Sequence, residues 1–322
     1  MLSNTILKNQ LKYTLNKTNF KFGKKYEGKV RDNYSFNGKR VMITTDRISA
    51  FDRVLCTIPF KGQVLNQTAA FWFKKTKKII DNHLLSVPDP NVMLVKECEL
   101  IPVEMVVRGY ITGVTTTSAW YNYKRGIRNY CGNILPEGLR KNQKLKKPII
   151  TPTTKAGHGK HDELISGEKI IKRGLVEEKT YRQMEKAVLK LFEYGTRLIA
   201  KNNLILVDTK YEFGLHDGKL VLIDEIHTPD SSRFWIKDSY KETFSKGQEP
   251  QKLDKEYVRQ YLANKGFIGE GPIPQIPDDV KIEAAKRYIT AYEMITGKLF
   301  EAENGSVLER IEGNLRKILI KS

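Results

Sequence analysis

The chain has few cysteines, no long apolar run and fewer acidic than basic residues, and each shortage excludes a class of protein. Only three cysteines occur in 322 residues, Cys56, Cys98 and Cys131, and they lie far apart without metal-ligand spacing. We therefore expect reduced, structural cysteines rather than a disulfide framework. No apolar run approaches 18 residues, and the N-terminus lacks the apolar core of a signal peptide. This predicts a cytoplasmic protein without a membrane partner.

The excess of basic residues raises nucleic-acid binding as a rival interpretation. The chain has 56 Lys and Arg against 37 Asp and Glu, a formal net charge of +19, and clustered basic side chains neutralise phosphates. The charge is spread along the chain, however, in short pairs such as Lys74-Lys75 and Lys146-Lys147. No zinc finger, aromatic RNA-binding strand or basic heptad region accompanies it. We expect a lysine-rich solvated surface that suits small polyanionic substrates, and no nucleic-acid partner.

The stretch 204–235 concentrates acidic, basic and hydroxyl side chains in one predicted hairpin. Its strands are Leu204–Leu215 and Lys219–Ile226, and the loop between them contains Gly218. A three-residue loop would pair Leu215 with Lys219, and would place Asp208, Lys210, Glu212 and Asp224 on one surface. A two-residue loop would instead send Asp224 to the other face and separate the carboxylates. We predict the three-residue loop.

Two carboxylates beside a lysine on a rigid hairpin suit Mg²⁺ and a phosphate. Mg²⁺ takes one or two carboxylates together with substrate phosphate oxygens, and lysine supplies a point charge for a terminal phosphate. The alternative is a solvated strand face with salt-bridged charges. The segment Thr228–Arg233, which follows the second strand, favours the site, because its hydroxyls and guanidinium can hold an anion.

The N-terminal part of the chain is typical of β-hairpins. A strand carrying Gly28-Lys29 precedes an Asn37-Gly38 turn and a further strand. The backbone at Gly28 can approach the phosphates of ATP, and Lys29 supplies charge. The stretch Gly23–Lys29 fits the first seven positions of a P-loop, but Val30 occupies the position of the Ser or Thr that ligates Mg²⁺, so we reject a P-loop.

The remaining pattern predicts an α+β protein. The chain can hold two subdomains sharing a cleft, or one domain with a helical appendage. Further strands are predicted at Met93–Cys98, where Lys96 could border an adenine, and at Pro102–Arg108, where an arginine meets a glycine turn. Apolar periodicity predicts the following helices: Ile6–Asn16, Thr68 to about Ile80, Thr180–Lys201, Lys255–Asn264, Asp278–Thr296 and Val307–Ile320. The last of these could be a dimer contact or an ordinary surface helix.

Several motifs together resemble one enzyme family. They are YEGKVRDNY, TTDRISAFD, MVVRGYITG, TPTTKA followed by HDE, LVDTKYEFG and DEIHTPDSSRFW. In this order and at these separations they are similar to the phosphoribosylaminoimidazole-succinocarboxamide synthases, the SAICAR synthetases of purine biosynthesis. The resemblance covers about Lys24 to Phe300.

The resemblance implies an ATP-dependent ligase. Such an enzyme joins L-aspartate to the carboxylate of carboxyaminoimidazole ribonucleotide through an acyl phosphate, and releases the succinocarboxamide, ADP and phosphate. It also implies a protein-kinase-like arrangement with ATP in a cleft. Residues 1–113 would form an antiparallel, ATP-binding β subdomain, and residues 114–322 a larger α/β subdomain carrying the hairpin. Whether the protein forms a homo-oligomer is left open. A kinase is the other enzyme class considered, but no HRD- or DFG-like pair is present.

The resemblance also implies a role for most candidate residues. Contacts with the phosphates of ATP are implied for Lys29 and Lys210, with Arg31 assisting, and contacts with Mg²⁺ for Glu212 and Asp224. Gly28 and Lys96 are the further ATP candidates, from the strand patterns described above. Contacts with the ribonucleotide are implied for Arg108, Ser118, Asp208, Ser232 and Arg233, with catalytic roles for Lys210, Asp208 and Arg108. The family usually runs RGYITG directly into Ser-Ala-Trp, whereas Val114–Thr117 intervenes here. Either Ser118 or one of these threonines then contacts the phosphate, and we favour Ser118.

The segment Thr151–Glu163 has the composition of a loop that closes over substrates. Its residues Lys155 and His161 are our candidates for the aspartate region. His158 and His161 are three positions apart, but no third ligand accompanies them, so we do not expect zinc.

Overall fold

The computed structural model describes residues 2–51, 53–155, 163–253 and 256–319. They form an α+β structure built on two large antiparallel sheets, beside which two short two-stranded sheets occur, and this confirms the predicted fold class. No helix in these ranges is both long enough and apolar enough to cross a membrane.

The element bounds are as follows. The helices are α1 (Asn4–Gln10), α2 (Lys61–Thr76), α3 (Ala119–Lys124), α4 (Gly167–Lys172), α5 (Glu178–Ile199), α6 (Lys237–Ser245), α7 (Glu256–Asn264), α8 (Asp278–Thr296) and α9 (Val307–Leu319). The strands are β1 (Lys24–Glu27), β2 (Arg31–Phe36), β3 (Lys39–Thr44), β4 (Arg47–Ala50), β5 (Arg53–Thr57), β6 (Leu84–Asp89), β7 (Val92–Lys96), β8 (Glu99–Ile111), β9 (Asn129–Tyr130), β10 (Asn133–Ile134), β11 (Gln143–Ile150), β12 (Thr153–Thr154), β13 (Leu204–His216), β14 (Lys219–Ile223) and β15 (Ser232–Ile236).

The first sheet carries the glycine turn near the N-terminus. Its five strands run in the order β1-β2-β3-β7-β6. The Asn37-Gly38 hairpin is confirmed, with φ values of 47° and 69° that suit a two-residue loop. The glycine-bearing strand differs from the prediction, because β1 ends at Glu27 and β2 begins at Arg31. Gly28 therefore opens a tight turn, in which its N–H donates to the Arg31 carbonyl at 2.8 Å.

The second sheet carries the predicted hairpin. Strand β13 pairs with β8, β14 and β15, while β11 and β12 pair with β8. Helix α5 packs against β13 and β8, and its buried residues Met184, Val188 and Leu191 join Met105 and Tyr211 in one apolar core. Because one face of the sheet is closed by α5, polar side chains of β8 and β13 must occupy the other face.

A register shift on β13 decides which side chains reach that polar face. Leu204 and Leu206 belong to the core, and so do Tyr211 and Phe213. The core-facing side chains of β13 are therefore even-numbered up to residue 206 and odd-numbered from residue 211 onward. The pairing of β13 with β15 shifts between Leu206 and Asp208. An irregularity of this kind re-aims the following side chains, which puts Asp208 on the opposite face from Leu206.

Helices α1 and α2 differ from the sequence prediction. The predicted helix Ile6–Asn16 is observed as α1, which ends at Gln10, followed by a single 3-10 turn over Leu11–Tyr13. Helix α2 begins at Lys61, seven residues before the predicted start. Its first turn is hidden from periodicity because tertiary contacts bury Lys61 and Gly62, and a Cβ on Gly62 would lie 2.3 Å from the Thr44 carbonyl oxygen. Helix α9 packs as an amphipathic surface helix, which is one of the two predicted alternatives. Its Ile311 and Leu315 pack on the first sheet with Tyr34 and Ile43.

Candidate active site

The register of the central hairpin differs from the prediction. His216 pairs with Lys219, so the loop has two residues, Asp217 and Gly218, with φ values of 50° and 71°. The predicted three-residue loop is wrong. An Asp-Gly pair adopts positive φ at both positions, and this turn matches the twist of the strands better than a longer loop. Glu212 consequently lies opposite Ile223.

The two-residue loop does not separate the carboxylates, because Asp224 leaves the strand. Strand β14 ends at Ile223, and Asp224 has a φ of 63°, in the left-handed region. The alternation of side chains therefore stops before this residue. The charges of Glu212 and Lys210 both act on the pKa of Asp224. The structure thus brings Asp224 to Glu212 by a strained backbone position rather than by strand register.

Asp224 is held by an arginine from the other sheet. Arg31 Nη1 lies 2.8 Å from Asp224 Oδ1, and Arg31 Nη2 lies 2.7 Å from Glu225 Oε2. Burial raises the pKa of Asp224 to about 6 although Arg31 opposes this, and the negative charges of Glu212 and Glu225 add to the rise. This carboxylate would gain from a further cation.

Lys210 lies among three carboxylates. Its Nζ is 2.8 Å from Glu104 Oε1 and also bonds to Glu212, and Asp224 acts on it through its charge. The second oxygen of Glu212 accepts from Lys155 Nζ at 2.5 Å. Burial disfavours the charged form of Glu212, yet Lys210 and Lys155 hold its pKa well below its usual range. Glu212 therefore stays ionised, as a ligand for a cation must.

These carboxylates do not form a metal site by themselves. In the part of the chain that the structure describes, no group of three or more His, Cys, Asp or Glu side chains could hold a metal ion. Glu212 and Asp224 are instead paired with Lys155, Lys210 and Arg31.

The other candidate residues of the ATP region lie on the first sheet or in its turn. Lys29 is exposed at the tip of the β1–β2 turn, next to Gly28. Lys96 ends β7, where its Nζ lies 3.3 Å from Asp81 Oδ2. The backbone carbonyl of His83 accepts the backbone N–H of Lys96. The backbone N–H of His83 donates to the carbonyl of Leu222 on β14. Burial lowers the pKa of His83 to about 3, and the charges of Arg31 and Lys96 add to this. The first sheet is thus tied to the strand that leads to Asp224.

A second cluster surrounds Asp208. Strand pairing places Asp208 directly between Arg108 of β8 and Arg233 of β15. Arg108 Nη1 lies 3.3 Å and Arg233 Nη1 2.5 Å from the same carboxylate oxygen, Asp208 Oδ2. Arg108 also donates to Thr151 Oγ1 and to the Thr117 carbonyl, each at 2.9 Å. Two guanidinium groups share one carboxylate, so the cluster keeps an excess positive charge that suits an anion.

Ser118 lies beside this cluster. A Cβ on Gly113 would sit 2.4 Å from Ser118 Oγ and 3.3 Å from Arg233 Nη2, so the serine hydroxyl and the guanidinium flank the same glycine. The Ser118 hydroxyl bonds to Thr115 Oγ1 at 2.7 Å. Ser232 donates to Thr209 Oγ1 at 2.8 Å. The four-residue insertion at Val114–Thr117 therefore leaves Ser118 within the cluster, with Thr115 as its partner.

The two clusters are neighbours on one strand. Pairing between β13 and β8 is regular from Asp208 to Glu212. Asp208, Lys210 and Glu212 consequently line one face, with about 7 Å between successive side chains. The candidate His161 lies outside the described residues, so its part of the prediction stays untested.

Several residues of the site were not predicted from the sequence. Glu104 and Glu225 contact Lys210 and Arg31, and neither belongs to the predicted set. A signal for Glu104 exists, because it interrupts the core positions Val103 and Met105 with a charge. The signal for Glu225 is weaker, because its neighbour Asp224 alone accounts for an acidic side chain at this end of the hairpin.

Comparisons with known proteins agree with the motifs. A family model described as SAICAR synthetase matches residues 24–271. The phosphoribosylaminoimidazole-succinocarboxamide synthase of Bacteroides thetaiotaomicron is 50% identical over 315 residues, which cover 95% of this chain and 99% of the relative.

Solved structures of the same family share the fold. The SAICAR synthase of Saccharomyces cerevisiae, complexed with SAICAR, matches with a TM-score of 0.78 and 32% identity, over 90% of this chain and all of that one. A SAICAR synthetase in complex with ADP matches with a TM-score of 0.65 and 26% identity, over 87% of this chain and 100% of that one. The chain belongs to the SAICAR synthetase family.

Proposed function

We propose that this protein is an ATP-dependent ligase that joins L-aspartate to carboxyaminoimidazole ribonucleotide and forms SAICAR, ADP and phosphate. The observation that carries the proposal is the face of β13 on which Asp208, Lys210 and Glu212 place an anion-binding cluster beside a carboxylate and lysine cluster. This arrangement suits two anionic substrates that react with each other. The relatives named as SAICAR synthases, and the neighbours that hold SAICAR or ADP, support it.

The chemistry proceeds in two steps. A carboxylate is a poor electrophile because its leaving group would be oxide. A carboxylate oxygen of the imidazole nucleotide therefore first attacks the γ-phosphorus of ATP, and the bond to ADP breaks. The amine of aspartate then attacks the acyl carbon, the C–N bond forms, and phosphate leaves while the amine loses a proton. The protein positions the reactants and neutralises the charge that develops.

The first cluster suits the triphosphate. Lys29 and Lys210 would contact the phosphates, and Arg31 would assist from the first sheet. Lys96 and Gly28 would border the nucleotide. Lys210 is suited to this role because burial has not discharged it. Its pKa is raised well above the usual value, since Glu212 and Glu104 outweigh the effect of burial.

Glu212 and Asp224 are the residues that would hold Mg²⁺. The donor set fits, because this ion takes one or two carboxylates and completes its shell with phosphate oxygens and water. When bound, Mg²⁺ neutralises phosphate charge during transfer. Lys155 and Arg31, which hold these carboxylates in the structure, would then be released toward substrate anions.

The second cluster suits the imidazole ribonucleotide. Arg108 and Arg233 would hold its phosphate with the hydroxyls of Ser118 and Ser232. Asp208 fixes the two guanidinium groups and could also orient a polar group of the imidazole. Lys155 and His161 remain the candidates for the aspartate. ATP would lie in the cleft between a β subdomain built on the first sheet and a larger subdomain that carries the hairpin. A cytoplasmic location remains the prediction of the sequence.

The deciding experiment measures ADP release by the purified protein. It uses Mg²⁺-ATP with carboxyaminoimidazole ribonucleotide, with and without L-aspartate, and identifies the nucleotide product by mass. We expect aspartate-dependent ADP release matched mole for mole by the succinocarboxamide. ADP release without that product, or no turnover by folded protein, would contradict the proposal.

A further inference from the structure

A buried arginine lies beneath the turn between β1 and β2, and the reaction above gives it no task. Arg47 opens β4 and is only 3% exposed. Its Nε donates to the carbonyl of Lys29 at 3.0 Å, and its Nη2 donates to the carbonyl of Gly28 at 2.8 Å. One guanidinium thus holds two successive carbonyls of the glycine turn.

The guanidinium is fixed from its other side. Nη2 also donates to Asp32 Oδ1 at 2.8 Å, and Nη1 donates to the carbonyl of Asn16. Asp32 is fully buried, and its other oxygen accepts the N–H and hydroxyl of Thr18 at 2.6 and 2.8 Å. Because its charge is compensated and its donors are engaged, Arg47 cannot swing out to bind a ligand itself.

The third carbonyl of the turn is also turned inward. The carbonyl of Val30 accepts the N–H of Thr45 at 3.0 Å and its hydroxyl at 2.9 Å. In a trans peptide the N–H points away from the preceding C=O. Since the carbonyls of Gly28 and Lys29 face Arg47, the N–H groups of Lys29 and Val30 point to the opposite, outer side of the turn. Backbone N–H groups aligned in this way form a concavity that binds anions.

We propose that Arg47 is a positioning residue, which holds the 28–30 turn with its amides outward as a cradle for the triphosphate of ATP. The inference rests on the proposed function, because it assigns ATP as the anion. Arg47 touches no substrate and acts only through the turn. A side chain at Gly28 would crowd the same turn, since a Cβ there would lie 3.2 Å from the Arg31 carbonyl oxygen.

The variant Arg47→Lys tests this inference. Lysine keeps the charge against Asp32 but cannot span two carbonyls with a rigid fork. We expect the Kd of Mg²⁺-ATP to rise about tenfold or more, since hydrogen bonds to a charged donor are lost. The KM values of aspartate and of the imidazole nucleotide should stay unchanged. Amide hydrogen exchange should accelerate in a peptide covering the turn, in the protein without nucleotide.

The matched control is Arg53→Lys. Arg53 on β5 also donates to glycine carbonyls, those of Gly271 at 2.5 Å and Gly269 at 3.4 Å, but in a different loop. The variant Arg53→Lys should leave the Kd of Mg²⁺-ATP and the amide hydrogen exchange of the β1–β2 turn unchanged. Should Arg47→Lys fail to fold, Thr45→Val replaces it, with a smaller weakening of ATP binding in the same direction.

The outcomes separate this inference from the proposed function. Unchanged ATP affinity in Arg47→Lys, with the turn exchanging as in the wild type, overturns the inference while the ligase assignment stands. Equal losses for all three substrates also overturn it, because they indicate a general structural role. If the wild-type protein binds no ATP and forms no product, the proposed function fails, and with it the assignment of ATP to this turn.

Discussion

Arg31 and Asp224 are 193 positions apart, yet Arg31 Nη1 lies 2.8 Å from Asp224 Oδ1. Arg31 begins β2 of the first sheet, and Asp224 directly follows β14 of the second. The pair therefore joins the two sheets at the point where the proposed ATP and metal contacts meet. Its partner Glu225 binds the other nitrogen of the same guanidinium at 2.7 Å.

Loss of either proposed metal ligand should abolish most activity. We expect Glu212→Gln and Asp224→Asn each to lower kcat by at least about 100-fold, because each removes a carboxylate where charge develops. Steady-state ADP release at saturating substrates measures this. Asp217→Asn, at the tip of the same hairpin, is the matched control and should retain wild-type turnover. Near-normal turnover in both test variants would refute the metal assignment.

Replacement of Arg233 should weaken binding of the imidazole nucleotide selectively. Lysine cannot reproduce the planar fork that bonds to Asp208 and faces an anion, so Arg233→Lys should raise the KM of that substrate about tenfold or more. The KM of ATP should not change. The control is Arg128→Lys. It removes a similar pair of guanidinium hydrogen bonds, those to Glu137 at 2.7 and 2.9 Å, but at the exposed surface. A shift of the ATP KM alone would contradict the assignment.

A side chain at Gly113 should displace Ser118. Gly113 has a φ of 91°, and its Cβ would lie 2.4 Å from Ser118 Oγ. We expect Gly113→Ala to lower the free energy of unfolding and to raise the KM of the imidazole nucleotide. Gly126→Ala is the control, because Gly126 has a φ of 89° with nothing within 4 Å of its Cβ.

The backbone strain is then similar in both glycine variants, about 1 kcal/mol or more. Denaturant unfolding gives the stability of each, and steady-state kinetics gives the KM. The excess effect at Gly113 measures the contact with Ser118. Equal KM values in the two variants would show that a residue other than Ser118 contacts the nucleotide.

Asp46 should make stability depend on pH. Its carboxylate accepts the N–H groups of Leu15 at 2.7 Å and Gly62 at 2.8 Å. Burial raises its pKa from 3.8 to about 6, although these bonds and the charges of Lys61 and Arg310 oppose the rise. A raised native pKa contributes stability that is fully present below about pH 4 and is lost as the pH rises through 6.

The variant Asp46→Asn isolates this contribution. Between pH 4 and 7 the wild-type free energy of unfolding should fall relative to that of the variant by about 2 kcal/mol, as the rise of the pKa from 3.8 to about 6 requires over this range. Urea unfolding at a series of pH values measures it. A constant difference between the two proteins, or one that grows toward high pH, would contradict the prediction.

Local patterns in the sequence were sufficient for most elements. The Asn37-Gly38 turn and the bounds of α8 follow from turn chemistry and apolar periodicity, and α5 lies two residues before its predicted position at Thr180–Lys201. The start of α2 does not follow from them, because its first turn is defined by burial against Thr44 and by the ion pair of Lys61 with Asp230. Periodicity cannot register contacts with residues so distant in the chain.

The sequence by itself determined the residue types of the site and the presence of several of them in one hairpin. The alternation of side chains along a strand depends only on neighbouring residues, so it can be read from the sequence. The tertiary structure alone decided the register, in which two residues rather than three form the turn, and the left-handed φ of Asp224, which returns that carboxylate toward Glu212. It also decided the partners Glu104, Glu225 and Arg47. These contacts join strands far apart in sequence, and their energies depend on burial and charge that arise only when the sheets come together.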